Sequence, residues 1–162
     1  MVREERYAGA GTSCMSAEVG SRERYFVDTN LFVYAYDESA GRKREVARDL
    51  ISGLWESRSG CVSVQVLQEL FANITRKVPK PLPVPNAAAL IEDLSAWTIH
   101  SPGMRDVLYA IELHGQMGVS FWDAMILTSA NSLGCRILYS EDLNAGQSYD
   151  GVLVMNPFDA SP

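Results

Sequence analysis

The chain has 162 residues, a net charge of -6 and a hydrophobic fraction of 47%. That length fits one domain with a sizeable core. No apolar run approaches the ~18 residues of a membrane helix, and the acidic balance argues against a generally basic nucleic-acid binder, though not against an enzyme that grips nucleic acid locally.

Residues 1–23 are polar, contain Gly and Ser, and lack an apolar h-region. They are expected to form a disordered N-terminal extension, or an overlong start with Met15 as another initiator. The folded domain is expected over residues 24–158. Residues 24–27 read as a short buried strand ending at Asp28. An apolar helix from Thr29 to Tyr36 follows, capped near Asp28 or Thr29. Residues 41–57 form an amphipathic helix on the stripe Val46, Ala47, Leu50, Ile51 and Leu54. A strand at residues 60–62 leads to Ser63, which caps a helix reaching about Lys77. The prolines between Pro79 and Pro85 predict an extended loop. Asn86 is then expected to cap a helix over residues 87–96. A strand over residues 97–100 precedes a helix opened by Ser101-Pro102 and running to about Gln116. Ser120 caps the next helix and Gly134 ends it. Strands close the chain at residues 136–139 and 151–155. Strands alternating with helices predict a parallel sheet covered on both faces, with the site beyond the carboxyl ends of its strands.

Four acids each interrupt or close an apolar segment. They are Asp28, Glu69, Asp123 and Asp142. Carboxylates rarely border a core unless their charge is compensated. Two of them ~5 Å apart repel by roughly 3 kcal/mol at an effective dielectric of ~20. Four converging would call for a cation, and Mg2+ or Mn2+ suits oxygen ligands. Three cysteines, Cys14, Cys61 and Cys135, stand far apart in no metal-ligand spacing, which points to free thiols in a reducing cytoplasm. Two histidines, His100 and His114, leave little room for histidine catalysis or zinc.

The segments Phe26-Val27-Asp28-Thr29-Asn30, Val66-Leu67-Gln68-Glu69-Leu70, Phe121-Trp122-Asp123-Ala124 and Leu138-Tyr139-Ser140-Glu141-Asp142-Leu143 occur in order. The pattern resembles the PIN-domain family of metal-dependent ribonucleases, especially VapC-type toxins. The resemblance spans residue 25 to about 158. It implies a three-layer α/β/α sandwich with a five-stranded parallel sheet. It makes Asp28, Glu69, Asp123 and Asp142 the catalytic, metal-binding acids for Mg2+ or Mn2+, with Asn30 and Ser140 as orienting groups. It also implies an RNA substrate, a cognate antitoxin and a homodimer; no membrane partner is expected, given the lack of a long apolar run. Some family members carry a further acid just after the fourth motif, where this chain has Asn144.

Each acid also has a plainer reading. Asp28 can be a helix cap. Glu69 can pair with Asn73 or Arg76, and Asp142 can be a turn residue. Asp123 resists this, because its i+3 and i+4 neighbours are apolar. Arg42, Lys43 and Arg44 crowd a helix start, where cations are unfavourable. A solvated face is the plain reading and a phosphate contact the functional one. An antitoxin is expected to set an Arg or Lys against Asp28, Glu69 and Asp123, with Phe32 and Trp122, where exposed, as its anchors. Two other functions compete. A haloacid-dehalogenase-like phosphatase also places an Asp after a strand, but it needs a second Asp where this chain has Asn30. A non-catalytic PIN-like scaffold that binds RNA or protein is the other.

Overall fold

A computed structural model describes residues 23–159. The expected extension over residues 1–23 lies almost wholly outside the described residues. Six strands form one sheet: β1 Tyr25–Val27, β2 Gly60–Ser63, β3 Thr98–His100, β4 Ile137–Tyr139, β5 Ser148–Tyr149 and β6 Val152–Met155, in the order β3-β2-β1-β4-β6-β5. Every pairing is parallel except β5 with β6. The expected five-stranded parallel sheet is present, and β5 adds a sixth, antiparallel edge strand. Its two residues are too few to show a periodicity, and Asp150-Gly151, both at positive φ, turn the chain back into β6.

The helices are α1 Thr29–Tyr36, α2 Arg42–Ser57, α3 Val64–Ile74, α4 Val84–Asp93, α5 Met104–Met117 and α6 Phe121–Ser132. A 3-10 turn, Leu94–Ala96, follows α4. From β1 the chain steps outward through β2 to β3, then returns to β4 on the other side of β1. Right-handed crossovers in opposite directions place their helices on opposite faces. The α1–α3 group packs together on one face, and α5 packs with α6 on the other. The core between them includes Phe26, Val27, Val62, Leu70, Leu127, Leu138 and Val154. No helix among the described residues is long and apolar enough to cross a membrane.

Three helix starts and ends differ from expectation. Pro83, not Asn86, precedes α4, and Pro85 sits in its first turn, where a missing N–H costs nothing. Gly103 precedes α5, so Pro102 stays outside the helix. Asp106 then accepts the Gly103 N–H at 2.7 Å. α3 ends at Ile74 and continues only as turns toward Lys77.

Candidate active site

β1 and β4 are neighbours, yet the chain leaves them in opposite directions. Their carboxyl ends therefore flank the topological switch point, where doubly wound sheets bind ligands. Asp28 follows β1 directly, and its backbone N–H donates to the Tyr139 carbonyl of β4 at 3.0 Å. Its side chain is buried. One carboxylate oxygen accepts the Thr29 N–H at 2.7 Å, capping α1, and the other accepts the Ser140 hydroxyl at 2.8 Å. The plain cap reading is thus correct, but a cap does not require burial. Loss of hydration pushes the Asp28 carboxyl up to about 6 against the pull of those two hydrogen bonds, and the charges of Asp142 and Glu69 push the same way.

The other acids join Asp28 through short relays. Ser140 Oγ also accepts the Asp142 N–H at 3.2 Å. Asn30 Nδ2 donates to Asp142 Oδ2 at 2.6 Å. The Thr29 hydroxyl donates to Glu69 Oε2 at 2.9 Å. Gln65, one turn earlier on α3, donates to Glu69 Oε1 at 2.9 Å and reaches the Trp122 carbonyl at 3.4 Å. That carbonyl adjoins Asp123. Ser120 caps α6 by accepting the Asp123 N–H at 3.1 Å, and its hydroxyl donates to Asp123 Oδ2 at 2.6 Å. Partial burial raises the Asp142 carboxyl, Asn30 opposes that, and the charges of Asp123, Glu141 and Glu69 add to it.

Asp28, Glu69 and Asp142 therefore share one hydrogen-bonded network through Thr29, Ser140 and Asn30, while Asp123 is held apart by Ser120 and acts on Asp142 through its charge. They do not form a finished cage: among the described residues no three acidic, histidine or cysteine side chains stand in a metal-holding group. Close carboxylates repel, and each is turned instead toward a neutral donor. The donor set itself is all hard oxygen, and the carboxylates of Asp28 and Asp142 accept only from neutral groups. Both points fit a Mg2+ or Mn2+ site. Glu69 pairs with Gln65 and Thr29, so the plain alternative of a pair with Asn73 or Arg76 is not what holds it. Asn144 donates to Gln147 at 3.2 Å.

The basic trio separates, because successive helix residues point ~100° apart. Lys43 forms an ion pair with Glu141, approaches the Tyr34 hydroxyl at 3.4 Å, and lies 4.7 Å from the Tyr34 ring centroid. The Ser39 hydrogen bonds lower the Asp37 carboxyl and Lys80 lowers that of Glu38, and the Arg44 charge adds a smaller pull on both. Arg42 is exposed. Phe32 is 1% exposed and cannot anchor a partner; Trp122 is 64% exposed.

Sequence reasoning missed Thr29 and Gln65 as holders of Glu69, and Glu141 as the partner of Lys43. Gln65 had a usable signal in its i, i+4 spacing from Glu69. The Lys43–Glu141 pair, 98 residues apart, had none.

Known structures share this fold. VapC20 of Mycobacterium tuberculosis, a Sarcin-Ricin loop cleaving toxin, superposes with a TM-score of 0.59 at 22% identity, over 73% of this chain and 89% of that one. A toxin–antitoxin complex from Klebsiella pneumoniae gives 0.63 at 15% identity, over 84% and 99%. DNA-bound VapBC from Salmonella typhimurium gives 0.58 at 17% identity, over 83% and 98%. No curated protein sequence matches the chain. The PIN domain model matches residues 25–147, most of the chain and all four acidic motifs, and this protein belongs to the PIN domain family.

Proposed function

We propose that this protein is a divalent-metal-dependent endoribonuclease that hydrolyses RNA phosphodiester bonds in the cytoplasm, as the toxin of a type II toxin–antitoxin pair. The observation that carries this reading is Asp28, a carboxylate kept in the core at the switch point beside Glu69 and Asp142, at an electrostatic cost. Family membership and the fold of VapC toxins support the same reading.

Asp28, Glu69, Asp123 and Asp142 would hold Mg2+ or Mn2+. When bound, such an ion lowers the pKa of its water and offsets charge on the reacting phosphate. The protein's own groups supply orientation. Ser140 and the Thr29 N–H fix both oxygens of Asp28, and Asn30 fixes Asp142. Of the three basic residues, Lys43 lies nearest the acids, and it would meet a phosphate only by leaving its ion pair with Glu141; Arg42 and Arg44 would touch RNA only beyond it. The expected antitoxin sets a cation against Asp28, Glu69 and Asp123, and a homodimer remains part of this reading.

A non-catalytic scaffold is the second reading, favoured by the neutral donors that already occupy every carboxylate. The test is cleavage of cellular RNA by purified protein with and without Mn2+, for wild type and Asp28→Asn. Cleavage that needs both metal and Asp28 supports the nuclease. Metal binding without cleavage returns the scaffold, and cleavage retained by Asp28→Asn removes Asp28 from the site.

A further inference from the structure

Of the four acids, Asp142 has the least regular support. Asp28 caps α1, Glu69 rides on α3 and Asp123 on α6, whereas Asp142 lies between β4 and β5 in no helix or strand. Its N–H donates to Ser140 Oγ at 3.2 Å, and its side chain accepts from Asn30 at 2.6 Å. The residue beside it, Glu141, is tied to a different layer. Lys43 of α2 forms an ion pair with one Glu141 oxygen, and the other, Oε2, is buried with no hydrogen-bond partner of its own. Lys43 is itself enclosed. Its ammonium stands 4.7 Å from the Tyr34 ring centroid and 5.3 Å from that of Phe158, and those rings meet edge-to-face at 5.2 Å. The Tyr34 hydroxyl lies 3.4 Å from the ammonium and also bears on Glu141. Lys43 is the second residue of α2, where a cation opposes the helix dipole. A cation that does its helix no service, held between two rings and committed to one carboxylate, serves the turn bearing that carboxylate.

We propose that Lys43 is a positioning residue: by holding Glu141 it fixes the turn that presents Asp142 to the metal, and it does not serve as a grip on RNA. The proposal rests on the metal-dependent ribonuclease reading. Without the ammonium, a half-buried carboxylate with an unpaired oxygen loses its only counter-charge. Glu141 would turn toward water and carry the adjoining backbone of Asp142 with it. Electrostatics alone gives the opposite sign, since removing a cation beside these acids should tighten a divalent ion. Weaker metal binding on loss of Lys43, in a folded protein, is therefore an effect of geometry.

The experiment is calorimetric titration of Mn2+ into the full chain, as wild type, Lys43→Met, Lys43→Ala and Lys43→Arg, each with its melting curve. Methionine keeps the stem between the rings, and alanine suits the helix. Both should weaken Mn2+ binding by about tenfold, the low end for a residue that orients a ligand through another. Lys43→Arg keeps the charge and also stacks on rings, and should stay within about threefold of wild type. With saturating Mn2+, the KM for cellular RNA and its salt dependence should not change in Lys43→Met. Unchanged or tighter Mn2+ binding in both uncharged variants overturns the proposal. A raised KM with a salt slope smaller by about one overturns it too, and makes Lys43 a phosphate contact. A lowered melting temperature with intact Mn2+ affinity also overturns it, by making the ion pair structural only. Mn2+ binding that depends on Lys43, in a protein that cleaves no RNA, defeats the ribonuclease reading and leaves the positioning intact. Metal-dependent cleavage with a Mn2+ affinity indifferent to Lys43 does the reverse.

Discussion

At the carboxyl end of the sheet the strands give way to Asp28, Thr29, Ser63 and Ser140, all buried; at the amino end Gly60 and Thr98 border Trp55 and Trp97. The aromatic end is packed for contact. A Cβ at Gly60 would lie 2.5 Å from the Trp97 ring, and Trp97 meets Phe32 and Trp55 at 5.5 and 5.8 Å between centroids. An open cleft of about 540 Å³ beside them is lined by Leu54, Trp55, Arg58 and Trp97, among others. The polar end instead keeps a buried carboxylate whose ionisation its surroundings oppose. Strand ends at the amino edge contribute stability, while those at the carboxyl edge, where the proposed chemistry would sit, keep a carboxylate at a cost in stability.

The sharpest way to break that contrast is Asp28→Asn. Asparagine retains the α1 cap and nearly the same shape, and the Ser140 hydroxyl can accept from its amide. RNA cleavage should fall by at least about a hundredfold, in line with losses for one key electrostatic group. The melting temperature of the metal-free protein should not fall. A variant that unfolds instead would make Asp28 a structural residue like those at the amino end.

The same substitution gives a pH signature. The Asp28 carboxyl lies at about 6 when folded against an ordinary 3.8. A raised acid contributes stability that is fully present below the unfolded value, about 4, and lost as pH rises through about 6. The 2.2-unit difference (6 − 3.8) corresponds to about 3 kcal/mol. Metal-free Asp28→Asn should therefore gain on wild type by up to about 3 kcal/mol between pH 4 and 7.5, read from urea denaturation at each pH. A difference that stays flat would mean the carboxyl titrates normally and the buried-acid argument fails.

Metal should reverse that cost. A ligand that binds only the folded state adds about 2.7 kcal/mol at a hundredfold excess over its Kd, or very roughly 5–10 °C for a domain of this size. Mn2+ or Mg2+ should raise the melting temperature of wild type, and Asp123→Ala should remove most of that rise. Indifference to both ions in a protein that cleaves RNA would count against the carboxylate site.

Much of this contrast was readable in the residues. Asp28 and Asp142 stood after short apolar runs, and a parallel sheet sends such positions to one rim. Asp123 betrayed itself by sharing a face with Ile126 and Leu127. The relays between them were not readable, since Thr29–Glu69 and Lys43–Glu141 join segments 40 and 98 residues apart. Arg42, Lys43 and Arg44 read as one patch in sequence, but successive helix residues point ~100° apart and adjacency along the chain does not carry into space. The amino end gave little notice: Gly60 carried no turn signal, and its need for a missing Cβ arises only from Trp97.

Gly60→Ala tests that end directly. The added methyl meets ring carbons of the packed Trp97 side chain, and overpacking of this kind costs about 1–3 kcal/mol. Thermal unfolding should move down while metal-dependent cleavage per folded molecule stays the same. Lost cleavage with an unchanged melting temperature would show that the two ends are coupled and that the division drawn between them is wrong.

The smallest effect sharpens the boundary inside the polar end itself. Ser120 both caps α6 and donates to Asp123, so its hydroxyl serves stability and site at once. Ser120→Ala removes the cap, at a cost of about 1 kcal/mol. It also frees one Asp123 oxygen from a neutral donor. Ser59→Ala is the matched control at the amino end, where the hydroxyl shares only a 2.6 Å contact with Ser57. Both variants should melt slightly lower than wild type. Only Ser120→Ala should also alter Mn2+ affinity, by no more than about tenfold, because Asp123 remains and loses just its orientation. Calorimetric titration separates the two quantities. If Ser120→Ala abolishes Mn2+ binding outright, orientation by neutral donors, not the set of four carboxylates, decides whether the site can hold a metal.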